Sequence, residues 1–339
     1  MQSALIQTLL LFILLSALFI SLALGAPMPT TSPSMLFSDT TRLGRPFAKD
    51  PAVVHFHGKY FLYYSIPSPD PKLSHGFVEG WGIGIATSDD LIHWQRVGEL
   101  PSVPGVDQAG FAAPGARVIN GKLHLFYQTY GNGEKDAICH ATSNDGIHFD
   151  RDPSNPVFHP TGPWTCGRAI DADVIEFKGK VFLYCATRDP HMKIQMITGA
   201  SADPTSPLGK TDWHQLPFDG PLLKPEMPWE QDCLEAPATG LHDGKLYLFY
   251  GGAYNNRPQQ IGCAVSDDGI HFHRVSNKPL LPNGPPGSWN SSESGHPFCF
   301  TDDDGQTYLF YQGNNDHGKT WSLSCVKVQW NGATPVLTP

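Results

Sequence analysis

Four residues in this chain of 339 stand where they could share acid–base chemistry: Asp50, Asp171, Glu235 and His296. Each heads a short segment that runs into a proline or its stand-in, then a tight glycine turn, then an alternating aromatic–aliphatic run. The heads read Lys49-Asp50-Pro51, Ala112-Ala113-Pro114, Ile170-Asp171-Ala172, Leu234-Glu235-Ala236-Pro237 and Gly295-His296-Pro297. Carboxylates gathered at one mouth repel each other, which drives their pKa values apart. One then stays ionised as a base while another keeps a proton as an acid. A single strand-end Asp is as readily a turn cap. Three acids at repeated places favour chemistry over structure, since crowded strand heads are otherwise best filled by small residues such as Ala112 and Ala113.

The elements that must position these heads form an internal repeat. From proline (or Ala172) to the turn glycine the spacing is 7, 7, 7, 7 and 8 residues, and successive copies start 63, 58, 65 and 60 residues apart. Strand, tight turn and strand with period-2 alternation make a β-hairpin. About 60 residues per copy leaves room for two further strands. A second signature occupies that room: ATSDDLIHW from Ala86, ATSNDGIHF from Ala141 and AVSDDGIHF from Ala264. Its Asp/Asn-Asp core is turn chemistry between strands three and four. The predicted fold is all-β, a five-bladed β-propeller with four antiparallel strands per blade. A β-sandwich with coincidental hairpins would not keep this spacing. In a propeller the first strand of each blade lines the channel, so the five heads converge.

The motifs Asp-Pro, Ile-Asp, Glu-Ala-Pro and Gly-His, in that order over five blades from Phe47 to Tyr311, resemble glycoside hydrolase family 43. That family sits in the five-bladed clan of arabinanases, β-xylosidases and galactanases and, more distantly, invertases and levansucrases. The resemblance implies Asp50 as general base, Asp171 as modulator of the acid's pKa and Glu235 as general acid. His296 becomes the fifth-blade histidine at the channel. It further implies an oligo- or polysaccharide substrate and no required cofactor, with Ca2+ or another cation on the axis near His296 in some members. Ala112 stands where the family usually has Trp, and Ala172 where Pro is common. Asp173, on the same side of its strand, competes with Asp171 for the modulator role, although the repeat register favours Asp171. Inverting hydrolysis needs a base and an acid on either side of the bond, and Asp50 and Glu235 come from non-adjacent blades. Two other readings stay open: a retaining, fructosidase-like enzyme with Asp50 as nucleophile, and a propeller that only binds carbohydrate.

Substrate contacts are expected from loops on the face of the strand heads. Trp164, Trp229 and Trp289 precede Asp171, Glu235 and His296 by 7, 6 and 7 residues, so they either stack on sugar or pack between blades. The loop from Ile66 to Gly82 carries His75 and Trp81. Arg188 with Asp189, Tyr254 with Asn255 and Arg257, and Asn314 with His317 occupy the matching loops of blades three to five. Trp94, Phe149, Phe272 and the neighbouring His93, His148 and His271 read as structural.

Residues 1–26 read as a signal peptide, with an apolar run from Leu9 to Leu24 ahead of Gly25-Ala26. Residues 27–40 read as a flexible leader and 41–339 as one catalytic propeller. The expected location is secreted or periplasmic, off the membrane after cleavage; an uncleaved N-terminal anchor is the alternative. A net charge of −9 argues against nucleic acid and anionic membranes as partners. None of the seven Cys has metal-site spacing, so no zinc is expected. Cys166 and Cys233 form the candidate disulfide. Asp302-Asp303-Asp304-Gly305 reads as a hairpin turn rather than a calcium loop.

Overall fold

Turn chemistry sets the unit. His57, Asn120, Lys178 and Asp243 have φ of 51, 51, 48 and 50°, and the glycines after them 75, 75, 75 and 73°. Two consecutive left-handed residues make the two-residue turn that matches the twist of a hairpin. The fifth copy, one residue longer, turns at Asp302–Gly305 instead, with the Gly305 N–H donating to the Asp302 carbonyl at 2.9 Å.

The computed structural model describes residues 34–69, 80–216 and 219–338. The expected signal peptide and anchor, and His75, lie outside them. Twenty strands form five antiparallel four-stranded sheets, each in chain order. Blade one holds β1 (Lys49–Phe56), β2 (Lys59–Ile66), β3 (Gly82–Ser88) and β4 (Gln95–Glu99). Blade two holds β5 (Phe111–Ile119), β6 (Lys122–Thr129), β7 (Ile138–Ser143) and β8 (Asp150–Arg151). Blade three holds β9 (Ile170–Phe177), β10 (Lys180–Arg188), β11 (Gln195–Ala202) and β12 (His214–Gln215). Blade four holds β13 (Leu234–His242), β14 (Lys245–Gly252), β15 (Gln260–Ser266) and β16 (His273–Arg274). Blade five holds β17 (Glu293–Thr301), β18 (Thr307–Asn314), β19 (Ser322–Asn331) and β20 (Thr334–Thr338). The inner strands β1, β5, β9, β13 and β17 pack side by side, and β17 returns to β1. This is the five-bladed propeller expected.

The ring is closed by chain ahead of blade one. Phe37 pairs antiparallel with Leu323, their N–H groups donating to each other's carbonyls at 2.9 and 2.8 Å, and Phe47 bridges Trp321. Met35 and Phe37 are buried, and Asp39 accepts hydrogen bonds from Tyr64 and from the Arg96 guanidinium. The end of the segment expected to be a loose leader is thus packed from Met35 onward. Its apolar residues are the reason.

Apolar layers lie between neighbouring blades. The second repeated signature locks them. The Tyr63 hydroxyl donates to the Gly146 carbonyl of the next blade at 2.8 Å, and that of Tyr184 to Gly269 at 2.6 Å. Phe149 and Phe272 meet the same tyrosines edge-on. At Gly269, with φ +79°, a Cβ would lie 3.0 Å from the Phe182 ring, so this close approach needs glycine. His93, His148 and His271 each pair with an Asp of the same turn at 2.7 Å.

Candidate active site

At the head of every inner strand the pairing register slips, forming a bulge. Asp50, Ala113, Asp171, Ala236 and His296 have φ of 52, 47, 56, 51 and 44°. All five immediately precede Pro51, Pro114, Ala172, Pro237 or Pro297. A left-handed non-glycine residue costs of order 1–3 kcal/mol and persists only when its surroundings hold it. At Asp50, Ala113, Asp171 and His296 the preceding blade does so. The Asp50 N–H donates to Gln312 Oε1 at 3.1 Å, Ala113 to Ser65 Oγ at 2.7 Å and Asp171 to Gln128 Oε1 at 2.7 Å. Ser65, Gln128 and Gln312 hold the same register place in β2, β6 and β18. In β14 that place is Gly251, and the space is taken by Gln259, whose Oε1 accepts the His296 N–H at 3.0 Å. A Cβ on Gly295 would meet that oxygen at 1.9 Å, so only glycine fits there.

Glu235 is placed differently. It matches Lys49, Ala112, Ile170 and Gly295 in register, one residue before the left-handed position. Two buried amides hold it: Gln259 Nε2 donates to Oε1 at 2.5 Å, and Gln195 Nε2 donates to Oε2. The offset is visible in the sequence, where Glu235 stands two residues before Pro237 and Asp50 one before Pro51.

The side chains open into a cavity of about 790 Å³ lined by Asp50, Asp171, Glu235 and His296 together with Trp81, Ala112, Arg188 and Arg257. Burial pushes the Asp50 carboxyl up, but His296 Nδ1 at 3.1 Å and Lys49 Nζ at 3.9 Å, helped by Ser65, leave it below the ordinary carboxylate value. Burial raises Asp171 to about 7, with His296 opposing and the nearby charges of Glu235 and Asp50 adding to the rise. Two carboxyls in one cavity are therefore pushed in opposite directions, which is the condition for dividing base from acid work.

Asp173 does not reach the cavity. Its Oδ2 accepts from the Thr239 N–H and Oγ1, both at 2.6 Å, tying blade three to blade four. Asp171 is the member of that pair at the site. Trp229 stacks on Tyr250 at 6.0 Å and donates to the Asn277 carbonyl, and Trp289 lies on Tyr311 at 5.4 Å. Neither lines the cavity, nor does half-buried Trp164. Trp229 and Trp289 take the packing alternative, because their rings lie on blade tyrosines rather than at the mouth. Cys166 and Cys233 are both free thiols. The Cys166 sulfur lies on Met192, and that of Cys233 accepts from Gln195, so they face different partners. Lys49, Tyr130 and Arg168 also line the cavity, and sequence reading missed them along with the four glutamines. The matched place of Ser65, Gln128 and Gln312 was the available signal.

Among the described residues, the sole grouping of three metal-type ligand atoms is His55, Asp302 and Asp303, at the fifth hairpin turn. His55 pairs with Asp303 there, and Tyr60 donates to Asp302. His296 belongs to no such set, and its Nδ1 faces Asp50. No step of the hydrolysis is routed through a cation.

The model of glycosyl hydrolases family 43 matches residues 43–335, all five blades. The chain belongs to glycoside hydrolase family 43. It is 37% identical over 112 residues to a sucrose-6-phosphate hydrolase of Escherichia coli, covering 29% of this chain and 22% of that protein. It is 31% identical over 150 residues to xylosidase/arabinosidase 43A of Humicola insolens, covering 40% and 41%. The chain thus spans less than half the length of either relative. Its fold superposes on an endo-1,4-beta-xylanase from Bacteroides thetaiotaomicron with a TM-score of 0.68 at 21% identity, over 86% of this chain and 94% of that one.

Proposed function

We propose that this member of the family is an exported, inverting glycosidase acting on plant or algal sugars of the arabinofuranoside, xyloside or galactoside type. The observation that carries the reading is the opposite push on Asp50 and Asp171 within one cavity that also holds Glu235. Asp50, kept ionised by His296 and Lys49, takes a proton from water as the water oxygen attacks the anomeric carbon. The glycosidic C–O bond breaks, and Glu235 delivers a proton to the leaving oxygen. Asp171, raised to about 7, keeps its own proton near neutral pH beside Glu235, and Gln195 and Gln259 hold the Glu235 carboxyl in place. The name of the Humicola insolens relative supports the xyloside and arabinofuranoside end of the range. Residues 1–26 would direct export, leaving a chain from Pro27.

The test is turnover by that chain on aryl α-L-arabinofuranoside, β-D-xyloside and β-D-galactoside, and on an α-linked anhydrogalactose oligosaccharide. Hydrolysis of at least one, abolished by Asp50→Asn and by Glu235→Gln, supports the reading. Sugar binding without turnover across the panel would make the propeller a binding module instead.

A further inference from the structure

The chain is acidic overall, yet five of its cations, Lys49, Arg168, Arg188, Lys193 and Arg257, line the cavity. Two are matched: Lys49 stands 3.9 Å from Asp50, and Arg168 pairs with Asp136 at 3.3 Å. Arg188, Lys193 and Arg257 have no carboxylate partner among the described residues. They form one wall, built from the β10–β11 loop of blade three and the β14–β15 loop of blade four.

Of the three, Arg188 has a held side chain, and the backbone beneath the other two is tied to it. Arg188 is half-buried; its Nε donates to Gln195 Oε1 at 2.8 Å, and its guanidinium lies 5.2 Å from the Tyr254 ring centre. The Tyr254 hydroxyl donates to the Lys193 carbonyl at 3.1 Å, and its own carbonyl accepts the Arg257 N–H at 3.0 Å. One tyrosine thus meets the Arg188 guanidinium and ties down the backbone that carries the two exposed cations, Lys193 and Arg257. Gln195 also donates to Glu235, so the Arg188 fork is one side chain from the acid. An arginine fixed at Nε presents its remaining N–H groups as a ready fork for an oxyanion, and fixing it beforehand reduces the entropy lost on binding.

We propose that Arg188, Arg257 and Lys193 form a subsite for an oxyanion carried by the sugar next to the cleaved bond. The substrate is then an acidic glycan bearing a carboxylate, sulfate or phosphate group. This inference rests on the hydrolytic reading above for the cleavage, but not for the binding. A neutral sugar would leave one held and two exposed cations unmatched in a cavity that already contains its catalytic carboxylates.

Binding is read through tryptophan fluorescence, since Trp81 lines the same cavity. The wild-type chain is titrated with D-galacturonate and D-glucuronate beside D-galactose and D-glucose. Galactose 6-sulfate, galactose 6-phosphate and inorganic phosphate alone are the further arms, and they tell which oxyanion is taken. At least one acidic sugar should bind about tenfold or more tightly than its neutral parent, as a charge-assisted hydrogen bond allows. That ratio should fall about tenfold in Arg188→Gln, fall in Arg257→Gln (an exposed side chain whose loss does not threaten folding), and shrink with added salt. Equal binding of acidic and neutral sugars would overturn the proposal. So would a ratio that survives in both variants, or saturation by free phosphate with no acidic-sugar preference. A preference with no turnover on any glycoside keeps the subsite and sinks the hydrolytic reading; turnover with no preference does the reverse.

Discussion

Replacing Asp171 by Asn should make the protein more stable above neutral pH while it abolishes turnover. In the folded protein Asp171 is buried beside other carboxyls and titrates near 7, against an ordinary 3.8. Between those values the folded state binds more protons at this site than the unfolded chain does. Stability therefore falls as pH rises through the window, is unaffected by the site below about 4, and carries the full penalty above about 7. At about 1.4 kcal/mol per pH unit, a rise from 3.8 to about 7 makes a penalty of order 4 kcal/mol, an upper bound because Asp171 is coupled to its neighbours. Asparagine keeps the backbone N–H that donates to Gln128 and removes the charge. Urea unfolding of both proteins at pH 5 and pH 8 measures the difference. The variant's advantage should grow by up to about 2–3 kcal/mol from pH 5 to pH 8, since about 1–2 kcal/mol of the penalty is already present at pH 5. An advantage that is constant, or reversed, with pH would refute the claim that the site stores this charge.

Lys49→Met removes one of the cations holding Asp50 low, so the acid limb of the pH–rate profile should move to higher pH, with activity lost sooner on acidification. Gln259→Met removes one amide from Glu235 and leaves the His296 N–H without its acceptor; kcat should fall roughly 10–100-fold, the scale of one hydrogen bond to a charged group. Gly269→Ala strains a residue at φ +79° and presses a methyl on Phe182, whereas Gly244→Ala strains φ +73° in open space. Thermal melts should show a loss of about 1–2 kcal/mol at Gly244 and a larger one at Gly269.

The blade count and the hairpin turns were legible because one residue pair, such as Asn120-Gly121, dictates a turn wherever it falls. The convergence of Asp50, Asp171, Glu235 and His296 followed from strand heads sharing a channel. What the sequence could not carry was depth. Trp164, Trp229 and Trp289 have the spacing of a sugar platform, but whether a ring faces a mouth or the side of a blade depends on loop paths. The amide brace of Gln128, Gln312 and Gln259 links residues 37 to 262 apart. The repeat position shared by Gln128 and Gln312 was a signal for two of them, whereas Gln259, from a different place in blade four, had none. Cys166 and Cys233 failed as a pair for the same reason, since one lies on Met192 of the β10–β11 loop and the other on Gln195 of β11.

The most direct test of single displacement is proton NMR of the sugar released in the first minutes of hydrolysis, before mutarotation. With Asp50 delivering water and Glu235 protonating the leaving oxygen, the first anomer should be the inverse of the substrate's. Retention of configuration would contradict the account and make Asp50 the nucleophile of a covalent intermediate.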